Sequence, residues 1–354
     1  MKILRSAFPM LTVLFALACD GESSVTEVPD TPTQPEAVDT LSSPLASPEI
    51  TALNLSDVSA EVGSGEMAQG ESSAPTVDVP LALHVYSNRT QYVLGEPVQL
   101  FVEFRNLTDR EVQTRAILFL DHGLSVHITR LGGERWRFID RLHTGITVPT
   151  AGPIHAHDSW GFHQFLAHSD VGEGRLPFPE PGMYRIDVGA TIEIEGAGNF
   201  EHLLAEPVAI EVIEPVREDD RTVYDIFLQP NVARAIQQLG GDEQIKDAMM
   251  QVLEIAPESV FAEHAHYLLG TMLMIQGNYL QANEHFYEVY ERVPGFYMKE
   301  MVLLNILTCF HWADEPERAL RVCEALLEIN PRMANRQNPL LQIYLRRLGD
   351  GSQS

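Results

Sequence analysis

Basic side chains are scarce in this chain: 24 Lys and Arg stand against 50 Asp and Glu, giving a formal charge of −26 over 354 residues. A surface of that sign repels phosphate backbones and anionic headgroups, which argues against nucleic-acid binding. Cysteine is equally sparse, with three residues and no C-x-x-C pair, so neither a disulfide framework nor a thiolate zinc cluster can organise the fold. No apolar run approaches the roughly 20 residues a membrane-spanning helix needs. The chemical motifs G-x-S-x-G, G-x-x-x-x-G-K, H-E-x-x-H and the EF-hand loop are all missing, which lowers the expectation of an enzyme. What is present is an apolar content of 45%, enough to build a core and to exclude a wholly disordered acidic protein. The length suits two or three domains.

The charge is unevenly placed. Lys2 and Arg5 precede a short apolar run, Leu11 to Ala18, that stops at Cys19. The segment Phe15-Ala16-Leu17-Ala18-Cys19 resembles the lipobox of bacterial lipoproteins, with alanine where the family more often has leucine at position 16. That resemblance implies a signal peptide over 1–18, cleavage before Cys19 and diacylglycerol on its sulfur, hence a lipid-anchored protein of the cell envelope. Asp20 is the residue that, in enteric lipoproteins, favours inner-membrane retention; inner membrane, outer membrane and cell surface all stay open. An ordinary secretory leader is the alternative.

From Asp20 to Val79 the chain holds twelve Asp or Glu, six Pro and sixteen Ser or Thr, without one Lys, Arg or aromatic residue. Such a composition cannot offset the entropy of ordering. Residues 19–79 are therefore expected to be a lipidated cysteine followed by a disordered acidic tether, with a span of about 45 Å as flexible coil.

Residues 80–215 alternate apolar and polar side chains in short runs bounded by turn residues, as in Val98-Gln99-Leu100-Phe101-Val102-Glu103-Phe104. Further runs are Leu81 to Tyr86, Leu124 to Thr129, Arg135 to Ile139, Trp160 to Leu166, Tyr184 to Ile194 and Val208 to Ile213. Seven or eight strands without helical periodicity between them predict an antiparallel sandwich. The phrases Tyr92-Val93-Leu94-Gly95-Glu96-Pro97-Val98 and Pro181-Gly182-Met183-Tyr184 resemble immunoglobulin-like domains of bacterial envelope proteins. Gly182 is expected at positive φ, and the Tyr184 hydroxyl must find a partner. A histidine cluster, His155, His157, Asp158, His163 and His168, holds an H-x-H pair that on a strand would turn both imidazoles to one face, as zinc requires. It resembles, weakly, the metal motifs of metallo-β-lactamases and amidohydrolases, but Asp158 lacks the spacer of the former. A histidine-rich connecting loop is the competing reading. A metal-dependent hydrolase on His155, His157 and Asp158 is thus the runner-up, and no metal is expected. A carbohydrate or peptidoglycan module is a third reading, with Trp136 and Trp160 as the only tryptophans of the region.

Residues 216–354 repeat. Pro257, Pro294 and Pro331 lie 37 apart, each closing an apolar helical run: Ile245 to Ala256, Tyr279 to Val293 and Glu317 to Asn330. Leu269-Gly270, Gly277-Asn278-Tyr279, Ala282, Phe286 and Pro294 stand at tetratricopeptide-repeat spacings, so the region resembles that family: a short helical solenoid ending in a cap over Leu340 to Leu348. The resemblance implies protein partners, no cofactor, and a concave peptide-binding face made by His264, Tyr267, Thr271, Met274, Met301, Leu304, Thr308 and His311. That face is more apolar than acidic and suits a neutral or hydrophobic peptide. A structural annex packed on the strands is the alternative. Cys309 and Cys323 are expected to be buried free thiols, with a bridge between them as the other possibility. The function expected from sequence is an envelope scaffold or assembly factor, not an enzyme.

Overall fold

The structure, a computed structural model, describes residues 80–354 apart from 119–123, 139–146, 168–175, 195–199, 294–295, 332, 334–337 and 352–354. All of them fall within one compact unit, Val79–Ser354. The tether, Cys19 and His168 lie outside the described residues.

Strands come first. They are β1 (Leu81–Ser87), β2 (Gln91–Val93), β3 (Val98–Asn106), β4 (Val112–Leu118), β5 (Leu124–Arg130), β6 (Arg135–Phe138), β7 (Thr147–Ile154), β8 (Ser159–Leu166), β9 (Gly182–Ile194), β10 (Phe200–Leu204) and β11 (Val208–Ile213). A three-stranded sheet runs β1-β3-β8; a larger one runs β2-β11-β9-β4-β7, with β5 and β10 also on β9 and β6 on β5. The thirteen residues of β9 let its first half serve β11 and β5 and its second half β10 and β4. Pairing is antiparallel except between β2 and β11, where Tyr92 faces Val212 in parallel. The expected all-antiparallel arrangement is therefore corrected to a mixed one. A three-residue strand joins the sheet edge beside β11 because the next segment must turn at Gly95 (φ 85) to start β3 in the other sheet.

The two sheets share one apolar core. Leu81, Leu83, Leu100, Val102, Phe104 and Leu166 of the smaller sheet meet Val126, Ile128, Tyr184, Ile186, Val188 and Ile210 of the larger. Each such side chain contributes on the order of 1.5–3 kcal/mol when fully buried. Tyr184 is 1% exposed and donates its hydroxyl to the Glu180 carbonyl at 2.5 Å, while Gly182 has φ 149. The alternation of β9, broken only at buried Gly189, shows that one of its faces is largely open; β3 is buried on nearly every residue, because its second face is also covered.

Helices cover that face at Gln99, whose amide meets Met298, while Phe101 packs against Tyr86 and His163 of the flanking strands. The helices are α1 (Glu218–Phe227), α2 (Pro230–Gln238), α3 (Glu243–Ile255), α4 (Phe261–Ile275), α5 (Tyr279–Arg292), α6 (Phe296–Trp312), α7 (Pro316–Ile329) and α8 (Pro339–Gly351). Among the described residues no helix is long and apolar enough to cross a membrane. Their ends follow local chemistry. Asp242 caps α3 by accepting from the Ile245 N–H at 3.1 Å, and Asn338 caps α8 by accepting from Leu340 and Leu341. Left-handed residues stop α4 at Gly277 (φ 82) and α6 at Asp314 (φ 58), again 37 positions apart. From α3 onward each helix packs on the next.

Gly270 on α4 is closely approached by Phe286 of α5. A Cβ there would stand 2.9 Å from the ring of Phe286, itself fully buried. Alanine is the better helix former by about 1 kcal/mol, but overpacking costs about 1–3 kcal/mol, so Gly270→Ala is expected to lower stability. A urea midpoint at or above that of the parent would mean that Phe286 moves aside freely.

Cys309 and Cys323 are buried and free, and burial pushes their thiols up to about 12 and about 11. Neither is activated as a nucleophile.

Candidate functional site

The seam between the smaller sheet and the helices carries the densest buried chemistry. Phe165, Ala167 and Val93 belong to the helical core rather than to the core between the sheets. The Phe165 ring lies 5.9 Å from that of Tyr267, which lies 5.9 Å from that of Phe286. Polar contacts cross at the same level: the Gln237 carbonyl oxygen accepts from the Ala167 N–H at 3.0 Å, and the Gln99 amide reaches Met298 Sδ at 2.8 Å.

At one end of this seam sits a charged cluster. Arg89, from the β1–β2 turn, pairs through one guanidinium nitrogen with Glu96 of the β2–β3 turn and through the other with Glu263 in the first turn of α4. Glu96, Glu263 and His264 are each 5% exposed. Burial works against the Arg89 cation, yet Glu263 and then Glu96 outweigh it and raise its pKa above the ordinary value. Glu96 Oε2 also accepts from the Val93 N–H at 2.8 Å. Tyr92, whose hydroxyl contacts Ser87 Oγ at 2.8 Å, is pushed up to about 12, first by burial. A narrow cleft, with room for about one water, adjoins the cluster along Val93, Glu96, Ala167, Phe178 and Val212.

Three of the eight residues expected to form the concave face are closed off at this level. His264, Tyr267 and Thr271 are buried. Tyr267 accepts from Asn305 Nδ2 at 3.3 Å and touches Met301 Sδ at 3.3 Å, and burial drives its phenol up to about 12. Thr271 Oγ1 donates back to the Tyr267 carbonyl at 2.9 Å. Met274, Met301, Leu304, Thr308 and His311 are half-buried. Thr308 Oγ1 donates to the Leu304 carbonyl, and His311 Nδ1 lies 3.1 Å from the Tyr344 hydroxyl of α8. The eight residues thus divide into a buried part on α4, half-buried Met274 near the end of that helix, and a half-buried row along α6.

The H-x-H pair is not on a strand. His155 and His157 lie in the β7–β8 turn, His157 with φ 58. Each is exposed and faces a separate acid: His155 Nδ1 is 2.9 Å from Glu111, and His157 Nε2 is 2.7 Å from Asp109. Asp158 Oδ1 accepts from the Ser159 N–H at 2.8 Å, and His163 is on β8 against Phe101. The turn spreads these groups along the surface rather than converging them. Of the tryptophans named with them, Trp136 packs edge-on to Tyr184 and Trp160 lies between Phe104 and Phe162.

A second histidine pair joins α4 to α5. His266 and His285 approach through Nδ1 atoms 2.9 Å apart. His266 is held at about 4, by burial first and then by His285 and Arg292; burial also lowers His285. A folded-state pKa below the unfolded value of about 6.5 means that the unfolded chain binds the protons more readily. This pair therefore removes stability as pH falls from about 6.5 to about 4, by roughly 1–2 kcal/mol after discounting for solvent screening. His285→Gln is expected to shrink the stability loss between pH 7 and pH 4.5 in urea titrations. An identical loss in variant and parent would refute the assignment.

Arg89, Glu96 and Glu263 had no place among the residues expected from sequence, and His264 was expected to face a ligand rather than a carboxylate pair. One signal was legible: Glu263-His264 interrupts the apolar start of α4, Phe261-Ala262 and Ala265, where charge requires a buried partner.

No family model matches this chain, and no curated protein does. Among solved structures it is similar to Northeast Structural Genomics Consortium target SoR45, with 12% identity and a TM-score of 0.25 over 40% of this chain and 98% of that one. It is also similar to the CARDB domain of the PF1109 protein of Pyrococcus furiosus, in complex with di-metal ions, at 14% identity and TM-score 0.20 over 38% and 94%. A β-glucosidase of Listeria innocua in complex with glucose matches at 13% and 0.22, over 39% of this chain and 17% of the enzyme. TM-scores this low decide neither fold nor task.

Proposed function

We propose that this chain is a lipid-anchored envelope protein whose immunoglobulin-like β region and tetratricopeptide-like helices act together as a protein-interaction scaffold, with recognition confined to the α6 row. The observation that carries this reading is the burial of Tyr267 against Phe165: the chain's own β layer takes the place a peptide would occupy over α4. Half-buried Met301, Leu304, Thr308 and His311 remain along α6, three or four residues apart as a helix face demands. Their apolar stems and few polar tips suit a neutral peptide or helix with hydrophobic anchors.

Affinity capture from envelope extracts tests the reading. Leu304→Ala and Thr308→Ala should each weaken capture of the same partner several-fold, whereas an exposed substitution on the open face of β9, Arg185→Ala, should not. Capture insensitive to both α6 variants would remove the row from recognition. Mass spectrometry of the mature amino terminus tests the anchor: a lipidated Cys19 supports it, and an unmodified Cys19 or a retained leader overturns it.

A further inference from the structure

The charged cluster at the seam leaves one group unsatisfied. Nε2 of His264 is buried without a hydrogen-bond partner. It stands 3.7 Å from Glu96 Oε1 and 3.6 Å from Glu263 Oε1, beyond hydrogen-bond reach of either. Neither neutral tautomer answers this arrangement. A lone pair on Nε2 would face two carboxylate oxygens; an N–H there would reach neither. With His264 neutral the charge is also unbalanced, because two carboxylates, each 5% exposed, are offset by the single guanidinium of Arg89 and leave one negative charge.

A metal ion resolves both. Nε2 and one oxygen from each carboxylate all lie within 4.8 Å of one another, a grouping that no other His, Cys, Asp or Glu trio reported among the described residues makes. The two edges at 3.6 and 3.7 Å are close to the edge of roughly 3.4 Å in a tetrahedron whose centre lies about 2.1 Å from nitrogen and oxygen ligands. One imidazole with two carboxylates is a donor set for zinc or a neighbouring first-row ion, and too rich in nitrogen for calcium. Arg89 holds the far oxygen of Glu263, the kind of outer contact that orients a ligating carboxylate, while on Glu96 it holds Oε1 itself, which would bridge guanidinium and metal through its two lone pairs. A hydroxide in the fourth position would close the charge: two carboxylates and one hydroxide against Arg89 and a divalent ion.

We propose that Glu96, Glu263 and His264 bind one divalent transition-metal ion, with zinc as the fitting species, and that the ion ties the β2–β3 turn to the start of α4. The site is separate from the α6 row, so its fate and that of the scaffold reading are independent. Its work would be to lock the β layer onto the helices.

The test uses the full chain, purified without a metal-chelating tag, stripped with EDTA and titrated with zinc. Expected are saturation at one zinc per chain by elemental analysis, a Tm that rises with zinc and falls with EDTA, and affinity lower on the order of 100-fold in His264→Gln. The double variant His155→Gln/His157→Gln and the single variant His285→Gln should keep one zinc and the Tm rise. Absence of stoichiometric zinc in the parent overturns the proposal, as does loss of the zinc with the exposed turn histidines or with His285. Zinc binding unchanged in a folded His264→Gln overturns it too. Should His264→Gln fail to fold, Glu263→Gln replaces it under the same criterion, and the parent titration with the two histidine controls decides alone if neither folds.

Discussion

Arg89→Ala, measured in metal-free buffer, is expected to destabilise the 79–354 unit by about 3–5 kcal/mol, the range for breaking a buried ion pair from one side. The reason lies in what remains. Glu96 and Glu263, each 5% exposed, would face each other across the seam without a cation, and neither can recover water without parting the layers. The loss should therefore shrink when a carboxylate is removed as well: Arg89→Ala with Glu263→Gln should cost clearly less than the sum of the two single changes. Urea unfolding of the four proteins provides the cycle. An Arg89→Ala loss under about 1 kcal/mol would show that the pair is worth no more than a surface salt bridge and that the seam does not depend on it.

Phe165→Ala should be as costly, about 3–5 kcal/mol, because a 3%-exposed aromatic would leave a cavity that the rigid β8 backbone cannot collapse. Its alternation on β8 points it away from the other sheet, so the whole effect belongs to the contact between layers. Tyr267→Ala removes the facing ring and also the acceptor of Asn305. The double variant should then show a coupling of about 0.5–1.5 kcal/mol beyond additivity, as expected for rings in direct contact. If the two losses simply add, the layers are sealed elsewhere. The pair of experiments separates two ways of holding one seam, an apolar ring stack and a charged cluster roughly at opposite ends of the first turns of α4.

Much of the element order was legible in the residues. Period-two runs marked β1, β3, β5, β6, β8, β9 and β11, because each has at least one face turned to a core while its other face can stay polar. Strands β2, β4, β7 and β10 were not marked. β2 is three residues long, too short for any period to show, and β7 carries Pro149 and Pro153, which read as turn residues. The helices at Glu243–Ile255, Tyr279–Arg292 and Pro316–Ile329 stood out through their 37-residue recurrence, whereas α1 belongs to no repeat and passed unseen.

The site was far less legible. A spacing rule places Tyr267 and His264 on one side of α4. What covers the side cannot be read from α4, since Phe165 lies 102 positions earlier and Arg89 lies 174 before Glu263. The scarcity of basic side chains, 24 against 50 acidic, also acquires a place: one of them, Arg89, is held at the seam between two carboxylates.

Most of the local order along the chain, strand or helix, followed from sequence alone because it depends on residues within a turn or a strand of each other. The meeting of the two halves did not. Whether an apolar helix face becomes a groove or an interior is set by which distant surface reaches it first, and here tertiary packing put β8 against α4. The same packing brought Glu96, Glu263 and His264 within ligand distance of one another, a relation no spacing in the sequence contains.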